Sequence, residues 1–279
     1  VVSKEFVMRR FVSAGVITVL PLLAACAPTV QQEVEMGNQY NAQLQQQLPL
    51  VKDAQAVRLF NQSIAPLKRV ATRQDLNWTF SIVNSDQVNA FAVPGGHIYV
   101  FRGLIERART YDEFAGAVGH EIGHVDLRHS AQQIGQANTA NMGVTLAYIL
   151  LGRQPGQVEQ TALGVAGGAV FAKFGRDDER EADSVAVDYL TEAGINPGGL
   201  PRMFNTLQSI QQGQPSKVEQ WFASHPMAAE REERTQRIIQ NNPAARRARS
   251  TGRRDSDAFR QLQRRLESLP AAPKDLNLQ

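Results

Sequence analysis

Apolar residues recur at helical intervals along most of this chain and alternate over only one short stretch. Val57, Phe60, Ile64 and Leu67 lie three and four apart, which predicts a helix within 51–70, ended or kinked at Pro66. Trp78, Phe80 and Ile82 alternate, the period of a strand. Asn89–Val93 reads as a short extended piece, Pro94-Gly95-Gly96 as a turn and His97–Phe101 as a β-rich strand. Gly103–Arg109 suits a short helix. Phe114, Val118, Ile122 and Val125 return to helical spacing behind Thr110-Tyr111-Asp112-Glu113, which offers capping groups and an acidic first turn. Met142–Leu151 and Thr161–Phe174 are apolar but short of the roughly 20 residues that span a bilayer, so buried helices are expected there. Further helices are predicted over Asp177–Ala193, stopped by Gly194 and Pro197, and over Leu200–Gln211, Lys217–Phe222, Met227–Ile239 and Asp257–Leu266. No repeat period is present. The pattern is α+β and mostly helical, with a small β-sheet.

The two ends depart from this pattern. Lys4, Arg9 and Arg10 precede a short apolar run, Phe11–Leu23, followed by Ala24-Ala25-Cys26. A basic segment, a short apolar core and small residues before a cut are the parts of a secretory signal. With cysteine at the cut, Leu23-Ala24-Ala25-Cys26 resembles the lipobox of bacterial lipoproteins. That resemblance implies residues 1–25 as signal peptide, diacylation of Cys26 and export, with Ala27 favouring the outer membrane. A plain signal peptide, or an apolar helix with a chance cysteine, is the blander alternative. Residues 26–47, rich in Gln and Asn from Gln31 to Gln47, read as lipid anchor and tether. Residues 241–279 read as a basic, partly helical tail.

Composition changes the picture little. The 279 residues are 42% hydrophobic and 20% charged, ordinary values for a globular chain. Net charge is +3, and removing the leader's three basic residues and one acid takes away +2 and leaves +1. Much of the remaining basic character lies between Arg246 and Arg265, without interleaved aromatic platforms, so no nucleic-acid partner is indicated. Cys26 is the single cysteine, which excludes an internal disulfide.

The strongest local signal is His120-Glu121-Ile122-Gly123-His124. On a helix, residues four apart share a face about 6 Å apart along the axis, so both imidazoles can reach one Zn²⁺. Glu121 points about a third of a turn away, placed to take a proton from water at the metal. The bland alternative is a chance pentapeptide on a surface helix. A catalytic zinc needs a third protein ligand and an open fourth position. Gly175–Asp183 offers Glu179 and Asp183, four apart on one helix face: the glutamate can complete the metal triad, and the aspartate can accept the remaining N–H of a ligand histidine. A solvated charge cluster capping a helix explains the same residues without a metal.

Four blocks together resemble metallopeptidase family forty-eight, which includes the CAAX prenyl protease, HtpX, mitochondrial Oma1 and periplasmic BepA. They are Asn89–Gly96, Gly119–Val125 with Arg128-His129, Glu179–Asp183, and His225-Pro226 with Arg231. The resemblance covers roughly Leu50 to Gln240 and implies a zincin-type (gluzincin) domain over 48–240. It implies one Zn²⁺ on His120, His124 and Glu179, with Glu121 as general base. Asp183 would act as the partner of a ligand histidine, and Glu181 would not ligate. A histidine before proline is by itself unremarkable. The resemblance implies that His225 approaches the zinc, either filling the fourth position in a latent state or assisting the oxyanion. His129 and His97 are read as structural.

Asn89, Ala90 and Phe91 are expected on an edge strand that an extended substrate joins by β-augmentation, the following proline and glycines favouring an edge. Against the endopeptidase stand a zinc-binding, chaperone-like lipoprotein with latent or absent proteolysis, and a structural lipoprotein that binds envelope assemblies or peptidoglycan through its basic tail.

Overall fold

Helix α4, Tyr111–Asp126, is buried at every position except its last, because helices and strands cover it on all sides. The computed structural model describes residues 28–137, 173–226 and 230–272. The leader with Cys26 and nearly all of the two apolar runs expected after residue 141 lie outside them. No helix among the described residues is long and apolar enough to cross a membrane.

In chain order, α1 (Val30–Gln47) and α2 (Ala54–Val70) precede strands β1 (Thr79–Val83), β2 (Ala90–Val93) and β3 (His97–Phe101). Short α3 (Arg102–Arg107) leads into α4, followed by α5 (His129–Ala137). Then come α6 (Arg176–Glu192), α7 (Gly199–Gly213), α8 (Glu219–Ser224), α9 (Glu230–Asn241), α10 (Pro243–Thr251) and α11 (Asp257–Glu267). The sheet has the order β1-β3-β2, with β1 parallel and β2 antiparallel to β3. Gly95 and Gly96, at φ 82° and 95°, make the turn between β2 and β3, a conformation that costs glycine little. The fold is mostly helical with a small sheet, as the pattern predicts.

Four expectations need correction. Helix α2 runs through Pro66 to Val70, because Leu59, Phe60, Ile64 and Leu67 bury one continuous face whose packing outweighs one lost backbone bond. Thr110 precedes α4 without capping it through its side chain; its hydroxyl donates to Asp112 Oδ1 instead, at 2.5 Å.

The supposed tether is helix α1, started by a reciprocal cap between Thr29 and Gln32. The carboxylate of Glu33, 1% exposed, is clasped by Arg73 at 2.6 Å and Arg128 at 2.7 Å. Gly37 lies so near the β2–β3 turn that a Cβ would stand 1.9 Å from the Pro94 carbonyl oxygen. Glu33→Ala is expected to loosen α1 and cost about 2–3 kcal/mol. That is below the 3–5 of a fully buried pair, since Arg128 keeps 30% of its side chain in water. Amide exchange over residues 30–47 and the melting temperature read both effects.

The supposed tail also belongs to the body. Phe259, Leu262 and Leu266 of α11 are fully buried, and the Phe259 ring stacks on Phe114 of α4 at 4.9 Å. Arg265 pairs with Asp53, the cap of α2, at 2.7 Å. The arginines alternate with apolar positions at helical spacing, so composition reads basic while one face is core.

Candidate metal centre

Helices α4 and α6 pack closely because small residues face each other. A Cβ on Gly123 would lie 2.7 Å from Val185 Cγ2 and 3.2 Å from the Ala182 carbonyl oxygen. That approach brings the N-terminal turn of α6 to the C-terminal half of α4. Glu179 then reaches both imidazoles, its Oε2 3.5 Å from His120 Nε2 and its Oε1 3.4 Å from His124 Nε2. The two Nε2 atoms are 3.0 Å apart. His225 comes from the end of α8, where Pro226 turns the chain out of the helical region at φ −119°, ψ 85°. Its Nδ1 is 2.9 Å from Glu179 Oε1 and 3.3 Å from His120 Nε2.

These four side chains are buried, and one ligand atom from each falls within 4.8 Å of the others. Ligand atoms about 2.0–2.1 Å from a tetrahedral zinc lie about 3.3 Å from one another, close to the spacings here. Three imidazole nitrogens and a carboxylate are also a donor set suited to zinc. Glu121 stands beside the group, and neither of its buried oxygens has a hydrogen-bond partner. His225 Nε2 is 3.4 Å from Glu121 Oε1. Such orphaned acceptors need an explanation, and a cation with its water supplies one. The residues fit a metal.

Burial pushes Glu121 above the usual carboxylate range, with the charges of His225 and His120 opposing. Burial acts the same way on Glu179, but His225, His120 and the hydrogen bond with His124 outweigh it and hold Glu179 well below. Burial drives His124 well below the ordinary imidazole value, which keeps it neutral and able to ligate. For His225, burial is outweighed by the carboxylates of Glu179 and Glu121, which raise it.

Asp183, one turn beyond Glu179, meets His120 Nδ1 at 3.0 Å. Arg231 of α9 binds the same carboxylate through Nε at 2.9 Å and Nη2 at 2.7 Å. Its Nη1 lies 2.5 Å from Glu179 Oε2, and its guanidinium sits 4.6 Å over the Phe204 ring. Asp183 is held below its usual value because Arg231 and His120 outweigh burial. The sequence blocks contained Arg231 but gave it no task.

Reading the sequence also missed three neighbours. His129 places Nδ1 2.9 Å from His124 Nδ1, against the merely structural role its spacing suggests. The Phe174 ring stacks on His124 at 3.8 Å, and Trp221 packs 5.0 Å from the His225 ring. Among these, only the Arg128-His129 pair carried a signal, as part of a matched block. His97 is away from the centre, bonded to Thr79 and Asn38. Glu181 is not in the ligand group and lies 3.4 Å from His129 Nε2. Ala90 and Phe91 begin β2, which pairs with β3, and Asn89 immediately precedes it. These three residues are 2%, 0% and 4% exposed, and Asn89 Oδ1 accepts the Ala90 N–H.

The sequence profile of Peptidase family M48 matches residues 53–239, which contain every residue of this centre. The chain belongs to peptidase family M48. It is 35% identical over 153 residues to Metalloprotease YcaL of Escherichia coli (strain K12), covering 54% of this chain and 58% of that protein. The Beta-barrel assembly-enhancing protease of Yersinia pestis is 29% identical over 211 residues, 73% of this chain and 43% of its own. The Mitochondrial metalloendopeptidase OMA1 of Schizosaccharomyces pombe is 27% identical over 162 residues, 58% of this chain and 47% of its own. The chain thus spans about half the length of these M48 relatives.

Proposed function

We propose that this M48 chain is a zinc-dependent endopeptidase of the bacterial cell envelope, acting on misfolded or misassembled envelope proteins. The observation that carries the reading is the convergence of His120, His124 and Glu179 beside Glu121, whose buried oxygens accept no hydrogen bond. His120, His124 and Glu179 would hold the zinc, which would supply Lewis acidity to the scissile carbonyl and to the attacking water. Glu121 takes the proton of the attacking water and returns it to the leaving amine. Burial, which raises the Glu121 carboxyl above its ordinary range, strengthens it as a base. Asp183 and Arg231 keep His120 and Glu179 in place, while Phe174 and Trp221 exclude solvent from the rings. Strand β2 is at one end of the three-stranded sheet, and we place an extended peptide along it beside Asn89, Ala90 and Phe91. Membership of M48 supports the reaction class. The name of the Yersinia pestis relative and the lipobox-like Leu23–Cys26 support the envelope, with Cys26 acylated and the domain at the periplasmic face of the outer membrane.

One observation favours a resting state without proteolysis. His225 Nδ1 lies among the ligand atoms, where the fourth position would otherwise receive water. In a chain closed this way, zinc binding and client holding continue while cleavage waits on release of His225. His225→Ala is therefore expected to raise the rate at which purified protein cleaves a denatured outer-membrane protein. A closed state favoured by about 1.4 kcal/mol corresponds to roughly a tenfold gain. A slower His225→Ala protein would assign that ring to the reaction instead. Absence of chelator-sensitive cleavage by both proteins would sink the endopeptidase reading.

A further inference from the structure

We propose that His129 is a positioning residue for the ligand His124, accepting the His124 Nδ1–H and so aiming His124 Nε2 at the cation. This rests on the zinc reading above. The two Nδ1 atoms are 2.9 Å apart, their rings nearly perpendicular at 72°, and His129 is 2% exposed. A single proton fits between them. His124 Nε2 faces the ligand atoms of His120 and Glu179, so a ligating His124 offers its lone pair there and carries its proton on Nδ1. His129 Nδ1 is then the acceptor, and its own proton sits on Nε2, 3.4 Å from Glu181 Oε2. The two ligand imidazoles are steadied by different chemistry: His120 by the Asp183 carboxylate, His124 by a neutral ring.

The backbone is bent to make this contact. Continued α-helix would rotate residue 129 about 140° around the axis from His124. Instead, Arg128 adopts φ 60°, the left-handed conformation rarely taken by a residue with a side chain. The chain breaks between α4 and α5, and His129 turns back beneath His124. Arg128 is held in that turn by Glu33 Oε2 at 2.7 Å and by the Pro28 carbonyl. A strained residue kept in place by its surroundings fits a constraint on the neighbouring site.

Zinc affinity of the full chain, measured by competition with a chromogenic chelator, tests this for His129→Leu, His129→Asn and His129→Gln. Leu fills the space without an acceptor, Asn keeps an oxygen near the Nδ1 position, and Gln places its amide near Nε2. His129→Leu and His129→Gln are expected to bind zinc roughly 10–100-fold more weakly, and His129→Asn within about threefold of the unchanged chain. If circular dichroism of zinc-free His129→Leu shows it unfolded, the comparison of Asn with Gln decides alone, Asn being expected to bind tighter. Unchanged affinity in a folded His129→Leu, or equal affinities for Asn and Gln, overturns the assignment and leaves the zinc reading standing. No zinc on the unchanged chain overturns both.

Discussion

A Glu121→Gln protein is expected to hold zinc as tightly as the unchanged chain and to cleave a denatured substrate roughly 10²–10⁴-fold more slowly, the range for a lost general base. Glutamine keeps the volume of the side chain in a site where Glu121 is 0% exposed, so packing barely changes. It also ends the burial of a carboxylate whose two oxygens have no hydrogen-bond partner. The folded protein should therefore be no less stable, and can be slightly more so. Loss of activity with retained metal and unaltered melting temperature is the combination that separates a base from a ligand or a packing residue. To avoid closure by His225 obscuring the result, the comparison is made in both His225 and His225→Ala backgrounds.

Arg231→Leu is expected to destabilise the zinc-free protein by about 3–5 kcal/mol, the range for breaking a buried ion pair from one side. Arg231 is 3% exposed and faces two carboxylates, those of Asp183 and Glu179. Removing it leaves both acids buried at 1% and 2% exposure, with His120 and the other ring nitrogens as the remaining partners. For a domain of this size the loss amounts to roughly 6–20 °C in melting temperature. Zinc should recover part of it, because a cation at Glu179 replaces the missing positive charge. Asp183→Asn with Arg231 kept would be milder, since one buried carboxylate goes with its charge.

Helix α4 was legible because its information is local. His120 and His124 share a helix face by spacing alone, and the apolar repeat from Phe114 to Val125 places that helix in the core. Glu179 was not fixed by pattern, because Glu179 and Asp183 read equally well as a solvated charge cluster; the matched blocks made Glu179 rather than Glu181 the ligand, with Asp183 as the partner of a ligand histidine. The structure adds the reason. Both acids share one face of α6, but Glu179 lies opposite the Nε2 atoms and Asp183 opposite His120 Nδ1. Arg231 and His129 could not be assigned from periodicity, because their partners lie on other helices or beyond a left-handed turn. The ends misled for a related reason. In α1 a Gln-rich composition concealed a capping box that Thr29 and Gln32 display in the sequence, and the burial of Glu33 depends on arginines far along the chain. In α11 the density of arginine drew attention from Phe259, Leu262 and Leu266, whose spacing is that of a core helix.

A metal centre at this place requires that two helices supply three side chains to one cation. Elemental analysis of the purified protein, beside its Glu179→Gln variant, addresses that requirement directly. The expected result is one zinc per unchanged chain and a markedly lower content in Glu179→Gln, with helical content preserved. Zinc-free unchanged protein after exposure to the metal, or equal occupancy in the variant, would contradict it.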